Sequence, residues 1–229
     1  MAFLLVVAFG LHLAHPCGAE TATAAGKNFL PDAGFDRFEG DLPQGWTATI
    51  WNQPVIQEKI HRLKPGRDGT GSCLELERTT PMTVASLTGP LVDIAPDTAY
   101  LLKGYYSSTC QLVTTDKKWM GAEGVTITGH WIDAAGESSD SFLLVLPDTQ
   151  DRWVPFFREV RAPQDGQQLR LVIERRWVGG RLRFDDFSLR RGTLRDFQAE
   201  FSVPSVADDV FFPIFGWLSP HNNSPRQRA

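Results

Sequence analysis

Eight residues in the middle of the chain, Val125-Thr126-Ile127-Thr128-Gly129-His130-Trp131-Ile132, alternate with a period of two and stop at the turn sequence Asp133-Ala134-Ala135-Gly136. Successive side chains of an extended backbone point to opposite faces, so the pattern describes a strand with one face buried. Val125, Ile127 and Trp131 share that face, and Thr126, Thr128 and His130 share the other. Further strand signals recur at short intervals. Val84 to Thr88 stops at Gly89-Pro90, and Tyr100 to Tyr106 follows the turn Ala95-Pro96-Asp97-Thr98. Phe142 to Leu146, Trp153 to Val160 and Leu169 to Glu174 complete the series. The Gly, Pro and Asp residues between them supply turn chemistry, and no stretch of twelve residues carries a helical period. Many short strands without helices predict an all-β chain folded as an antiparallel sandwich.

The chain has 229 residues, 42% of them hydrophobic, enough for one substantial core and too few for a second full domain. A formal net charge of −4 argues against nucleic-acid binding, which depends on neutralising phosphates. Near the start, Phe3 to Leu11 is apolar and is followed by small residues at Cys17 and Ala19, so residues 1–19 read as a signal peptide. The apolar stretch is too short to span a bilayer comfortably. The expectation is therefore a secreted or periplasmic protein with no stable membrane insertion after cleavage. Residues 20–27 read as a small-residue linker. Cys73 and Cys110 then remain, either bridged by a disulfide or present as two buried thiols.

Two distant segments bracket residues 28–191: Asn28-Phe29-Leu30-Pro31-Asp32-Ala33-Gly34-Phe35-Asp36 and Arg183-Phe184-Asp185-Asp186-Phe187-Ser188-Leu189. Each joins an apolar anchor to acidic residues, as expected if the chain ends lie side by side and their carboxylates share a cation. With Gly45-Trp46 and Gly71-Ser72-Cys73-Leu74-Glu75-Leu76, the layout resembles the jelly-roll carbohydrate-binding modules of families 4, 9 and 22, which have a galactose-binding-domain-like fold. The resemblance implies an antiparallel jelly-roll β-sandwich that holds a structural Ca²⁺. Its ligands would be Asp36, Asp68 in the Gly-rich loop 66–71, and Asp185 or Asp186. Residues 192–229 read as a linker and the truncated start of a following domain. There, Phe211-Phe212-Pro213-Ile214-Phe215-Gly216-Trp217 resembles the first strand of a glycoside hydrolase barrel.

Sugar binding needs flat apolar surfaces surrounded by hydrogen-bonding groups, and aromatic rings supply the surfaces. Trp46, Trp131 and Trp153 fall in register with apolar neighbours and are assigned to the core. Tyr105 and His130, with Lys103, point the other way and are expected to line one concave face, with Trp51, Trp119 and Trp177 at its rim. Of the eleven Arg residues between Arg152 and Arg195, most are expected on outward strand positions. Motifs for metalloprotease, serine hydrolase and zinc chemistry are absent, and Glu75 with Glu77 sits on a strand that reads as scaffold. The sequence thus predicts a monomeric, non-catalytic module that binds poly- or oligosaccharide as the accessory part of an exported glycoside hydrolase. Two alternatives stay open: a structural or interaction sandwich without glycan affinity, and a jelly-roll enzyme that degrades polysaccharide.

Overall fold

The computed structural model describes residues 26–51, 58–79, 84–110 and 124–201. The expected signal peptide, Trp119 and the apolar run 211–217 lie outside them. The chain divides into two compact units after Asp196, and all of the strands belong to the first.

The described residues form twelve strands: β1 (Phe38–Glu39), β2 (Leu42–Pro43), β3 (Thr47–Ile50), β4 (Lys59–Leu63), β5 (Cys73–Arg78), β6 (Val84–Asp93), β7 (Ala99–Ser108), β8 (Gly124–Ile132), β9 (Ser138–Leu146), β10 (Val154–Arg161), β11 (Gln168–Arg176) and β12 (Gly180–Arg191). A 3-10 helix spans Leu194–Phe201. β1 and β2 make a small ribbon. The others form two five-stranded sheets, in the orders β10-β7-β12-β5-β4 and β3-β6-β11-β8-β9, and every pairing is antiparallel. This is a jelly-roll β-sandwich. Among the described residues, no helix is long and apolar enough to cross a membrane.

Alternation accounts for the core. Val125, Ile127 and Trp131 of β8 are buried, as are Leu169, Leu171 and Ile173 of β11 and Tyr100, Leu102 and Tyr106 of β7. Each fully buried Leu or Ile contributes on the order of 1.5–3 kcal/mol. Glycine is required where rings crowd the strands. A Cβ on Gly104 would lie 2.6 Å from the Phe187 ring and 2.7 Å from that of Phe156. Phe187 stands edge-on to Phe35, Phe156 and Phe184, with centroids 5.1, 5.1 and 5.4 Å away. Trp153, assigned to the core from sequence, is only half-buried, just ahead of β10.

Three register shifts adjust the simple pattern among the described residues, one of them between Trp131 and Ile132 where β8 meets β9, and the other two bear on the core. In β6, Gly89-Pro90 does not end the strand. The register with β11 shifts there, between Leu91 opposite Arg170 and Thr88 opposite Val172. A bulge accommodates Pro90, which has no N–H for the ladder. In β12 the register with β7 shifts between Asp185 and Ser188, and Asp186 takes a positive φ of 52°. That extra residue puts both Phe184 and Phe187 into the core although they are three apart in sequence.

The two ends of the domain meet. The Asn28 side chain donates to the Phe187 carbonyl at 3.1 Å and accepts from the amides of Leu30 and Leu189 at 3.1 and 2.9 Å. The Phe29 amide donates to the Leu189 carbonyl at 2.8 Å, and the Phe187 amide to that of Ala33 at 2.7 Å. The opening segment therefore pairs with β12 as an irregular strand held by one amide side chain. Cys73 and Cys110 are separate buried thiols, and the Cys110 Sγ donates to the Arg181 carbonyl at 3.5 Å.

Candidate functional site

Tyr105 and His130 do not share a face. Tyr105 lies on the outer side of the first sheet, opposite Asp185 of β12 and Pro155 of β10. His130 lies on the outer side of the second sheet, opposite Arg170 and Ser141. The core separates the two. Alternation along a strand distinguishes inward from outward, but which sheet a strand joins depends on long-range pairing. Lys103 is on the Tyr105 side, opposite Ser188 and Phe157. The Tyr105 ring also carries a cation, the Arg67 guanidinium, 3.9 Å from its centroid.

Arg67 comes from loop 64–72, between β4 and β5, which holds Asp68 and is flanked by the other three carboxylates expected to bind calcium, Asp36 before β1 and Asp185 and Asp186 on β12. Asp185 is buried, and its two oxygens accept from the amides of Arg67 and Asp186, each at 2.8 Å. Burial pushes its carboxyl above the usual range, while these two hydrogen bonds oppose the shift. Asp186 accepts from Arg67 Nε and Nη2 at 2.8 and 2.6 Å. Asp68 accepts from the Thr70 amide and hydroxyl, and these bonds lower its pKa. Asp36 accepts from the Ser72 amide and hydroxyl at 3.0 and 3.1 Å. Among the described residues, no group of three His, Cys, Asp or Glu side chains is placed to hold a metal ion. The carboxylates surround the loop without converging, and Arg67 supplies positive charge beside Asp186. As arranged, the four residues do not fit a Ca²⁺ site, which takes six to eight oxygens.

The same outer face carries a row of charges around Glu75, whose strand reads as scaffold in the sequence. Glu75 sits between His61, at 3.1 Å, and Arg183, at 2.6 Å. Arg183 also faces Asp151 at 3.4 Å, and Asp151 pairs with Arg181 at 2.9 Å and accepts from the Ser107 hydroxyl at 3.2 Å. Register places these residues together, because Glu75 lies opposite His61 on β4 and Arg183 on β12.

A different constellation occupies the end of the sandwich where β11 passes into β12. There Trp51, just after β3, meets Trp177, just after β11, with ring centroids 5.6 Å apart and planes at 77°. Trp51 is 58% exposed. Trp177 has a positive φ of 56° at the start of the three-residue link 177–179, which turns its side chain off the strand. Both tryptophans are rim candidates in the sequence, but their proximity depends on the tertiary structure.

Nearby, and missed from sequence, Glu58 is buried between Arg78 and Arg175, at 3.1 and 3.4 Å. Arg175 is fully buried, an exception among the arginines, most of which are expected on outward strand positions. It crosses from the second sheet to the first and donates to the carbonyls of Leu76 and Gly180 at 3.0 and 3.1 Å. Burial pushes the Glu58 carboxyl up, and it lowers Arg78 to about 10, helped by the like charge of Arg175. A signal for both arginines was present. Arg175 is in phase with Leu169, Leu171 and Ile173, and Arg78 with Leu74 and Leu76.

No protein-family model matches the chain, and no curated protein matches it. Among solved structures, the enzymatically active domain of bacteriophage CBA120 tailspike protein 4 is similar with a TM-score of 0.56 and 12% identity, over 72% of this chain and 21% of that one. The chain thus spans about a fifth of the tailspike domain's length. The CBM22-1 xylan-binding domain of Paenibacillus barcinonensis Xyn10C gives a TM-score of 0.43 and 18% identity, over 69% of this chain and 90% of its own. The module TmCBM61, in complex with β-1,4-galactotriose, gives 0.44 and 17%, over 72% and 99%. At these identities the tailspike likeness bears on the fold alone.

Proposed function

We propose that this domain binds glycans without cleaving them, at an aromatic corner formed by Trp51 and Trp177. One observation carries the reading: two indole rings from separate segments meet at one end of the sandwich, and the outer ring is more than half exposed. Paired indole rings with one of them exposed offer a flat apolar surface with polar edges to a ligand. A pyranose presents an axial C–H surface that stacks on such a ring.

The 77° angle refines the ligand class. Perpendicular rings offer one face and one edge, which form a corner for a single sugar unit. Crystalline polysaccharide surfaces are met by several coplanar rings. The ligand is therefore a chain end or a short soluble oligosaccharide, held with micromolar to millimolar affinity because association entropy consumes much of the contact energy. The layout that resembles carbohydrate-binding modules supports the same reading, with the domain as the accessory part of an exported hydrolase.

A panel of soluble poly- and oligosaccharides, read by affinity electrophoresis and by quenching of tryptophan fluorescence on the full chain, tests the proposal. At least one glycan should be retained, and Trp51→Ala should weaken its binding about tenfold or more. Failure of every glycan to retard the wild-type protein would overturn the reading. A second reading, reaction chemistry on the outer face of the first sheet, is favoured by the convergence of Glu75, His61, Arg183 and Asp151. Release of reducing sugar from any member of the panel would support it.

A further inference from the structure

Buried charge beside an aromatic corner calls for a physical reason, because transferring ions from water costs several kcal/mol per ion unless geometry compensates. Two guanidiniums share the single Glu58 carboxylate, and all three side chains are inaccessible to solvent. Their hydrogen bonds converge on the segment that carries Trp177. Arg78 Nε and Nη2 both donate to the carbonyl of Val178, the next residue, at 2.9 and 2.7 Å. Arg78 Nη2 also reaches the Arg175 carbonyl at 3.4 Å. The arginine fork therefore spans the turn on both sides of Trp177. Glu58, seven residues beyond Trp51, closes the arrangement by pairing with Arg78 Nη1 and Arg175 Nη2.

We infer that Glu58, Arg78 and Arg175 are positioning residues that preorganise the Trp51–Trp177 corner for its ligand. Trp177 sits in a left-handed backbone conformation that a non-glycine residue adopts only when its surroundings enforce it. The bidentate grip on the Val178 carbonyl supplies that enforcement, and the planar guanidinium fork is the group suited to it. Holding the corner rigid before binding lowers the ordering cost paid by the ligand. The glycan part of this inference rests on the function proposed above, whereas the coupling of the cluster to the ring pair does not.

The experiment uses the full chain and two conservative variants. Arg78→Lys keeps the charge beside Glu58 but loses the fork on the Val178 carbonyl, and Glu58→Gln keeps volume but removes the shared charge. The readout is the exciton-coupled circular dichroism band of the close indole pair, defined as the part of the wild-type spectrum that Trp177→Phe abolishes. Arg78→Lys should lose more than half of this band and weaken glycan binding about tenfold, with Glu58→Gln affected in the same direction. Gly129→Ala, which is destabilising but remote, should retain the band, so loss of stability alone does not mimic the effect. A folded Arg78→Lys protein with the full band overturns the inference, and should that variant fail to fold, Glu58→Gln decides. If no glycan binds the wild type, the band still reports on the clasp, so the two proposals fail separately.

Discussion

Arg67 donates from Nε and Nη2 to one oxygen of Asp186, at 2.8 and 2.6 Å, while its guanidinium lies 3.9 Å from the centroid of the Tyr105 ring. Its backbone amide meanwhile binds Asp185 at 2.8 Å. One residue thus ties loop 64–72 to the β12 bulge and to the outer face of β7. The positive charge that a bound cation would bring to this corner comes here from the chain itself, through Arg67.

Calcium should accordingly leave the protein's stability unchanged. A site saturated at a hundred times its Kd would add about 2.7 kcal/mol, a shift readily seen in a thermal melt. Melting in excess calcium and in excess chelator should coincide, whereas Arg67→Ala should lower the midpoint. A clear rise in midpoint with calcium would show that the four carboxylates rearrange around a metal.

The pairing of Gly129 with Phe142 makes a sharper stability prediction. A Cβ on Gly129 would lie 2.1 Å from the Phe142 ring, so the ring has to leave its place against Trp131. Gly129→Ala should cost about 3 kcal/mol, at the upper end of overpacking penalties. Nothing lies within 4 Å of a Cβ on Gly26, and Gly26→Ala should change stability by less than about 0.5 kcal/mol. Urea denaturation of the two variants checks both values, and equal midpoints would refute the packing argument.

Alkaline pH should destabilise the fold through its thiols. Burial raises the Cys73 pKa from 9.0 to about 12, with the nearby Asp185 charge adding to the shift. The folded state then holds a proton that the unfolded chain releases. The thiol's contribution is fully present below the unfolded value and is lost as pH rises towards the folded one, at up to about 1.4 kcal/mol per pH unit. Cys110 is shifted the same way, chiefly by burial. Stability measured from pH 8 upward should fall beyond about pH 9, and Cys73→Ala should flatten the fall. A wild-type profile that stays level across this window would contradict the assignment of Cys73 as a buried thiol.

The sequence determined the inward face of the main strands. A period of two in β7, β8 and β11 separated inward from outward positions, because side-chain direction is a local property of an extended backbone, although it did not decide how deeply Trp153 or Arg175 is buried. The acidic and apolar segments at Asn28 and Phe187 also announced their own pairing, since a domain with one core brings its bracketing segments together. What the tertiary structure decided was which surfaces coincide. Tyr105 and His130 have the same local outward signature, yet they fall on opposite sheets, because strand order is set by pairings between residues far apart in the chain. Trp51 and Trp177, separated by well over a hundred residues, meet for the same reason, and so do Glu58, Arg78 and Arg175. The bulge at Asp186 turned carboxylates expected to hold a metal toward Arg67 and the backbone. Local chemistry fixes the face of each strand, whereas the site is assembled by contacts that only the closed sandwich brings within reach.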